Sequence, residues 1–169
     1  MRILTRRSAN GVGVLGVAGL MFGALIFEHV LKLAPCNMCM LQRGATLCLG
    51  AVFLLAFVHD PGRLIARAYA LLVLLAAAAL VALSARHVWM QMQPKGSLAS
   101  CGADFWTMMG MLPLTEVISR IVNGGGDCQE IGWSLFGLSI PGWLGLAGVA
   151  LGGLGVWGNL CLQRSGGRA

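Results

Sequence analysis

The sequence predicts an all-α membrane protein, namely a four-transmembrane-helix bundle with a long outer loop that carries a short amphipathic interfacial helix. Composition is the first observation: 57% of the 169 residues are hydrophobic and only 11% are charged, whereas soluble domains are about a quarter charged. The second observation is that four apolar runs are long enough to cross a bilayer. Lipid is therefore the expected solvent for much of the chain, and no separate soluble domain is expected.

The four apolar runs set the predicted helix positions. The first run is free of charge, and the third is almost entirely Leu, Ala and Val. We expect one membrane domain over residues 1–169, with outer loops at about 28–39 and 86–142 and a short inner turn at His59-Asp-Pro-Gly62. The predicted helices span about residues 8–27, 40–58, 68–85 and 143–161.

The basic residues predict the orientation of the bundle. The two termini and the turn between helices 2 and 3 carry seven Lys or Arg residues and one acid, Asp60. On the other side, five basic residues balance five acidic ones. Because Lys and Arg in short flanks stay in the cytoplasm, both termini are expected there and both outer loops outside. The seven basic residues are Arg2, Arg6, Arg7, Arg63, Arg67, Arg164 and Arg168.

Glycines on helices 1 and 4 predict close helix packing. Gly19 and Gly23, and likewise Gly148 and Gly152, stand one helical turn apart. Small residues at this spacing let two helix backbones approach each other in a membrane.

An amphipathic helix is predicted inside the long outer loop. Apolar residues recur with helical spacing from Leu114 to Val122, and polar residues fill the opposite face. We expect this greasy segment to lie on the membrane surface. The run Asn123-Gly-Gly-Gly126 then gives a flexible stretch before Cys128.

Four of the six cysteines form two groups on the outer side. Cys36 and Cys39 form a Cys-x-x-Cys pair directly after Pro35, which marks the expected start of helix 2. A helix N-terminus stabilises thiolates, and this spacing allows a disulfide. Cys101 and Cys128 lie in the long loop, where they form either a plain stabilising disulfide or a redox pair.

Arg43 stands four residues after Cys39 and therefore on the same helix face. One interpretation is an arginine that reaches the lipid headgroups. We favour a guanidinium that stabilises a thiolate at Cys39 and donates hydrogen bonds to a ligand carbonyl.

Two dithiol pairs on one membrane face make an electron relay possible. A soluble partner cannot reach a carrier dissolved in lipid, but a loop pair can meet the partner and pass electrons to a pair at the membrane edge. Cys48 and Cys161 lie inside predicted helices, where we expect no redox role.

These motifs resemble the DsbB family of bacterial disulfide-bond formation proteins. The resemblance rests on the segment from Phe27 to Arg43, on Cys101 and Gly126-Asp-Cys128, and on Phe136-Gly-Leu with Pro141-x-Trp143. It covers essentially the whole chain, including the four-helix topology.

The resemblance implies a protein-dithiol:quinone oxidoreductase of the bacterial inner membrane, with periplasmic cysteines. It would reoxidise a thioredoxin-fold partner of the DsbA type at the expense of ubiquinone or menaquinone. By the same resemblance, the partner attacks Cys101 of a Cys101–Cys128 disulfide. Electrons then pass to Cys36–Cys39, Cys39 faces the quinone, and Arg43 matches the family's quinone-associated arginine.

The resemblance leaves one role unassigned. The family has a histidine near the quinone, and we find no aligned equivalent before Cys101. His87 and Arg86 are weaker candidates for that cofactor-binding role.

Three alternatives remain at this point. The vitamin K epoxide reductase family also has a four-helix bundle with a Cys-x-x-Cys and two loop cysteines, but its active pair stands late in the bundle. A structural zinc site of four cysteines needs no enzyme activity, although the long Cys101–Cys128 spacing is unusual for it. A small transporter is disfavoured because helices 1, 3 and 4 have charge-free cores.

Overall fold

The computed structural model describes residues 5–98, 103–123 and 128–164. Within these residues, four long apolar helices form a bundle, which confirms the predicted fold class. A layer of two short helices and one β-hairpin, named the outer layer, lies in the chain between the third and fourth long helices. It covers the end of the bundle opposite to both termini, and this end is named the outer end. The elements in chain order are α1 (Arg6–His29), α2 (Asn37–His59), α3 (Arg63–Gln91), α4 (Phe105–Met111), α5 (Leu114–Asn123), β1 (Ser134–Leu135), β2 (Leu138–Ser139) and α6 (Ile140–Cys161).

Each long helix extends beyond its predicted span, most clearly α3, which continues to Gln91 rather than ending near residue 85. The hydropathy criterion ends a span where polar residues begin. Helical hydrogen bonds continue past that point, because the polar groups of Arg86 and His87 find partners in the outer layer and in α2. The extra turns bring these two side chains to the outer end of the bundle.

The centre of the bundle is packed around Phe53 of α2, which is fully buried. On α6, Gly152 and Gly155 lie against α3 and Phe53, so closely that an added Cβ at Gly155 would stand 2.7 Å from Phe53 Cε1. The predicted close approach at Gly148 and Gly152 is therefore present. It is wrong for Gly19 and Gly23, where no atom of the described residues outside α1 lies within 4 Å of an added Cβ.

A buried polar group joins the helices at the end that carries both termini. Asn10 and Asn159 exchange side-chain hydrogen bonds of 3.2 and 3.0 Å between α1 and α6. Arg6, which is 4% exposed, donates to the carbonyls of Pro61 and Leu162. These bonds satisfy polar groups that would otherwise be costly in an apolar bundle.

The outer layer closes over the opposite end of the bundle. The predicted amphipathic helix is present as α5, and its apolar residues Val117 and Ile121 are fully buried against Met38 of α2 and Met90 of α3. Its apolar face thus packs on the bundle itself, while Leu114 stays exposed. Sequence periodicity alone did not show this, because it cannot distinguish a protein surface from a lipid surface.

The β-hairpin was not predicted. Its two-residue turn, Phe136-Gly137, has positive φ at both residues, 52° and 77°. This is the requirement of a type I′ turn. The hairpin leads directly into α6 and so fixes the position of Ile140 and Pro141 at the outer end of the bundle.

Candidate functional site

The site begins at the N-terminus of α2. Cys36 is the N-cap residue, and its sulfur accepts a hydrogen bond from the backbone N–H of Cys39 at 3.4 Å. This confirms that the Pro35–Cys36 pair marks the helix start, although α2 begins at Asn37 rather than near residue 40. The Cys36 thiol also donates to the Cys39 sulfur at 3.0 Å. The two sulfurs are therefore placed to form a disulfide with each other.

The structure brings Cys128 to the same place. Cys36, His87 and Cys128 each present a sulfur or ring nitrogen within 4.8 Å of the other two. Cys128 is 1% exposed and packs beside Met38, Met90 and the buried face of α5. Cys101, the other predicted loop cysteine, lies outside the described residues.

Hydrogen bonding separates the roles of the two α2 cysteines. Hydrogen bonds to Cys128 and Cys39, together with burial, raise the pKa of Cys36 well above the ordinary thiol range. Because Cys36 donates its thiol proton toward Cys39, the Cys39 sulfur accepts a hydrogen bond from a thiol and is the better suited of the two to carry negative charge. The predicted thiolate position at the helix start thus applies to Cys39 rather than to both residues.

His87 is held by a buried polar network that the sequence analysis missed. Its Nδ1 lies 3.2 Å from Gln42 Oε1, and its Nε2 lies 3.7 Å from the Cys36 sulfur. Gln42 in turn donates to Ser84 Oγ at 3.1 Å. His87, Gln42 and Ser84 are each 2% exposed. A signal was present in the sequence, since Gln42 and Thr46 form an i, i+4 polar pair on a largely apolar helix.

Arg43 lies on the α1 side of α2. Its guanidinium forms an ion pair with Glu28 at 2.5 Å and donates to the Ala24 carbonyl at 3.2 Å. Both partners belong to the last turns of α1, where the helix dipole favours a cation. The side chains of Arg43 and Glu28 are 20% and 31% exposed. Arg43 is therefore fixed beside the helix start that carries Cys39.

Arg86 has a different environment. It donates from Nε to the Val122 carbonyl of α5 at 3.0 Å, and its guanidinium lies 4.1 Å from the centre of the Trp89 ring. These contacts attach α5 to α3. The predicted cofactor contact of Arg86 stays a prediction.

A cavity of about 290 Å³ opens beside the cysteines. The loop between α1 and α2, the ends of α2 and α3, and the start of α6 form its walls. Sulfur, imidazole and amide groups thus share the lining of this cavity with apolar side chains and with the charged Lys32 and Glu130. Its lining includes Cys36, Cys39, His87, Gln91, Ile140 and Pro141.

This fold and site define a class: a multi-pass membrane protein whose clustered thiols lie at the outer end of a four-helix bundle. The family model described as "Disulfide bond formation protein DsbB" matches residues 6–158. The chain belongs to the DsbB family. This match decides against the vitamin K epoxide reductase family.

Relatives named "Disulfide bond formation protein B" resemble the chain over most of its length. The protein from Methylobacillus flagellatus is 38% identical over 159 residues, which cover 94% of each chain. The protein from Marinobacter nauticus is 41% identical over 140 residues, 83% of each chain. The protein from Chromohalobacter salexigens is 40% identical over 156 residues, 90% of this chain and 91% of its own.

Proposed function

We propose that this protein reoxidises a periplasmic DsbA-type dithiol oxidase and passes the electrons to quinone in the bacterial inner membrane. The observation that carries the proposal is the sulfur series Cys128, Cys36, Cys39. The first two sulfurs lie within 4.8 Å of each other, and a hydrogen bond of 3.0 Å joins the last two. Membership of the DsbB family supports a role for this chain as a disulfide-forming oxidoreductase. The quinone as electron acceptor, the DsbA-type partner and the inner membrane as the location are our inference.

The relay is a sequence of thiol–disulfide exchanges. A partner thiolate attacks Cys101 of the Cys101–Cys128 disulfide, which forms a mixed disulfide and releases Cys128. The partner's second thiol resolves the mixed disulfide and leaves Cys101 reduced. Cys128 attacks Cys36 of the Cys36–Cys39 disulfide, and Cys39 leaves with the electron pair. Cys101 then attacks Cys128 of the Cys128–Cys36 disulfide, which restores the Cys101–Cys128 bond and leaves Cys36 and Cys39 as the reduced pair. Exchange from Cys128 to Cys36 is supported by the position of their sulfurs, which lie within 4.8 Å of each other.

The cavity beside Cys39 fits a quinone head group. Its lining combines the thiol of Cys39, the imidazole of His87 and the amide of Gln91 with the apolar Ile140 and Pro141, and Lys32 and Glu130 also line it. Polar groups that can meet two carbonyl oxygens, together with apolar contacts for a flat ring, suit a quinone. Such a quinone would supply a two-electron acceptor beside Cys39. The residues that would hold it are Cys39, His87 and Gln91.

Arg43 is proposed to act on Cys39 by charge. The guanidinium lies on the Cys39 side of α2, and its ion pair with Glu28 keeps it at the outer end of α1. We expect Arg43→Ala to raise the apparent KM for quinone. An unchanged KM would favour the alternative of an arginine that only contacts lipid headgroups.

Two experiments test the entry of electrons and the orientation of the site. Cys101→Ala should abolish the mixed disulfide with the reduced partner, and a complex trapped in that variant would move the entry point elsewhere. After reduction, an impermeant maleimide added outside intact spheroplasts should label the redox cysteines. Labelling only from the cytoplasmic side would reject the proposed orientation.

A structural zinc site of Cys36, Cys39, Cys101 and Cys128 is the competing function. Four thiolates suit Zn²⁺, but they must all be reduced, and an oxidising outer compartment disfavours that state. Metal analysis of purified protein separates the two functions. Stoichiometric zinc that stays bound to the protein while the protein oxidises its partner would support the structural zinc site.

A further inference from the structure

We propose that Gln42 is a positioning residue that holds His87 as the proton acceptor for the disulfide exchange between Cys128 and Cys36. This inference rests on the proposed function. To the proposed relay it adds a base for the exchange, His87, and a side chain that orients this base, Gln42.

His87 lies close to both of the sulfurs that exchange. Its ring reaches from α3 to the N-terminus of α2, where Nε2 lies 3.7 Å from the Cys36 sulfur. The Cys128 sulfur lies within 4.8 Å of the same imidazole. A base must lie within reach of the proton it removes, and contacts in a resting site are often longer than in the reacting one.

Acceptors for the protonated ring stand on both sides of the imidazole. Protonated imidazole has two N–H donors. At Nδ1 the Gln42 oxygen lies 3.2 Å away. On the other side of the ring, the Cys36 sulfur lies 3.7 Å from Nε2, and the Cys128 backbone offers an acceptor to the protonated ring. Both N–H groups of the cation therefore have partners already in place.

The side-chain amide of Gln42 has a partner at both of its polar atoms. Its amide nitrogen donates to Ser84 Oγ at 3.1 Å, so the amide is tied to α3 at two points, Ser84 and His87. All three side chains are 2% exposed. A buried polar network in an apolar bundle fixes one ring orientation, because any rotation of the imidazole leaves a polar atom without a partner.

The proposed step balances as follows. The Cys128 thiol gives its proton to His87, and the resulting thiolate attacks the Cys36 sulfur of the Cys36–Cys39 disulfide. The Cys128–Cys36 bond forms, the Cys36–Cys39 bond breaks, and the electron pair leaves on Cys39. Cys128 is oxidised and Cys39 is reduced, with no external oxidant. The proton stays on His87, in the cavity that Cys39 also lines.

Within the part of the chain that the structure describes, few other titratable groups face this imidazole. Cys36 and Cys39 lie at the start of α2, Cys128 lies in the outer layer, and Lys32 and Glu130 line the shared cavity. Arg86, the neighbour of His87 on α3, is turned toward α5. The pH dependence of the exchange should therefore follow His87 and the thiols.

The test isolates one exchange in the full-length chain without quinone or partner. A Cys101→Ser background keeps Cys128 as a thiol, and the Cys36–Cys39 disulfide is prepared at pH 4. The pH is then raised, samples are trapped with a maleimide, and peptide mass mapping follows the appearance of a blocked Cys39. The measured quantity is the exchange rate at each pH.

Two substitutions of Gln42 in this background separate its role from simple filling of space. Gln42→Met keeps the volume but removes the acceptor, so the rate at pH 7 should fall roughly tenfold. Gln42→Glu keeps an acceptor for Nδ1–H and should restore most of the rate.

Removal of the base and a matched control complete the set. His87→Ala should slow the exchange roughly a hundredfold at pH 7. The loss should shrink toward pH 9, where solvent deprotonates a thiol without help. Thr46→Val is the control, since Thr46 is also buried on α2 but donates to the Gln42 backbone and not to His87. It should leave the rate and its pH dependence unchanged.

The outcomes distinguish this inference from the function on which it rests. If Gln42→Met and His87→Ala exchange at the parent rate with the parent pH dependence, the inference is overturned while the relay stands. If the parent background itself forms no Cys36–Cys128 disulfide, the proposed relay fails. A slow Gln42→Met that Gln42→Glu does not restore would also overturn the positioning role.

Discussion

Two glycines on one helix allow a sharp test of the packing that positions the site. At Gly155 of α6, an added Cβ would lie 2.6 Å from Val73 Cγ1 and 2.7 Å from Phe53 Cε1. At Gly153, two residues away, it would meet nothing within 4 Å. Alanine at either position gains about 1 kcal/mol of helix propensity. Only Gly155→Ala also overfills a packed core, at a cost of about 1–3 kcal/mol.

The difference between the two variants therefore isolates the overpacking cost. Gly153→Ala should be stabilising, and Gly155→Ala should lie about 1–3 kcal/mol below it. The assay is reversible unfolding of both proteins in the same mixed micelles, with partner oxidation measured in parallel. Because α6 carries Ile140 and Pro141 of the cavity, Gly155→Ala should also lose activity. Two variants of equal stability, within about 0.5 kcal/mol, would refute the packing argument.

Three further predictions concern single contacts. Reduced Cys36 should react more slowly with iodoacetamide than an ordinary thiol at pH 8, because its raised pKa leaves little thiolate. Mass spectrometry of the labelled peptide measures the rate, and fast labelling would contradict the raised pKa of Cys36. Glu28→Ala should raise the quinone KM several-fold, as we expect for Arg43→Ala, because the carboxylate acts through the guanidinium. The two effects should therefore not add in the double variant, and additive effects would show that the two residues act independently. Asn10→Leu should destabilise the protein by about 1–3 kcal/mol, because it removes the hydrogen bonds between Asn10 and Asn159. The double variant with Leu at both positions should recover much of this loss in thermal unfolding, and no recovery would indicate a packing defect instead.

The fold was largely predictable because lipid imposes a simple length rule on apolar helices. The ends of the helices were not, since α3 continues through Arg86 and His87, whose polar groups are satisfied by tertiary contacts. Gly19 shows the reverse limit. Its spacing with Gly23 suits close packing, yet neither faces another helix, because spacing does not determine which side of a helix meets its neighbour.

The candidate site was predictable only in part. The Pro35–Cys36 pair announced the start of α2 because its effect is local. The contact between Cys36 and Cys128 depends on how the outer layer folds back over the bundle, and no local pattern encodes that. Gln42 was missed because a single buried amide in a transmembrane helix gains its meaning only from His87 on another helix.

The most direct test of the central claim is the stoichiometry of quinone consumption. Purified protein is mixed with a reduced DsbA-type partner and excess quinone, while quinone absorbance and partner thiols are followed together. One quinone should disappear for each partner dithiol oxidised, and Cys39→Ser should stop quinone loss. Partner oxidation that consumes no quinone, or full turnover by Cys39→Ser, would contradict an electron path that ends at Cys39.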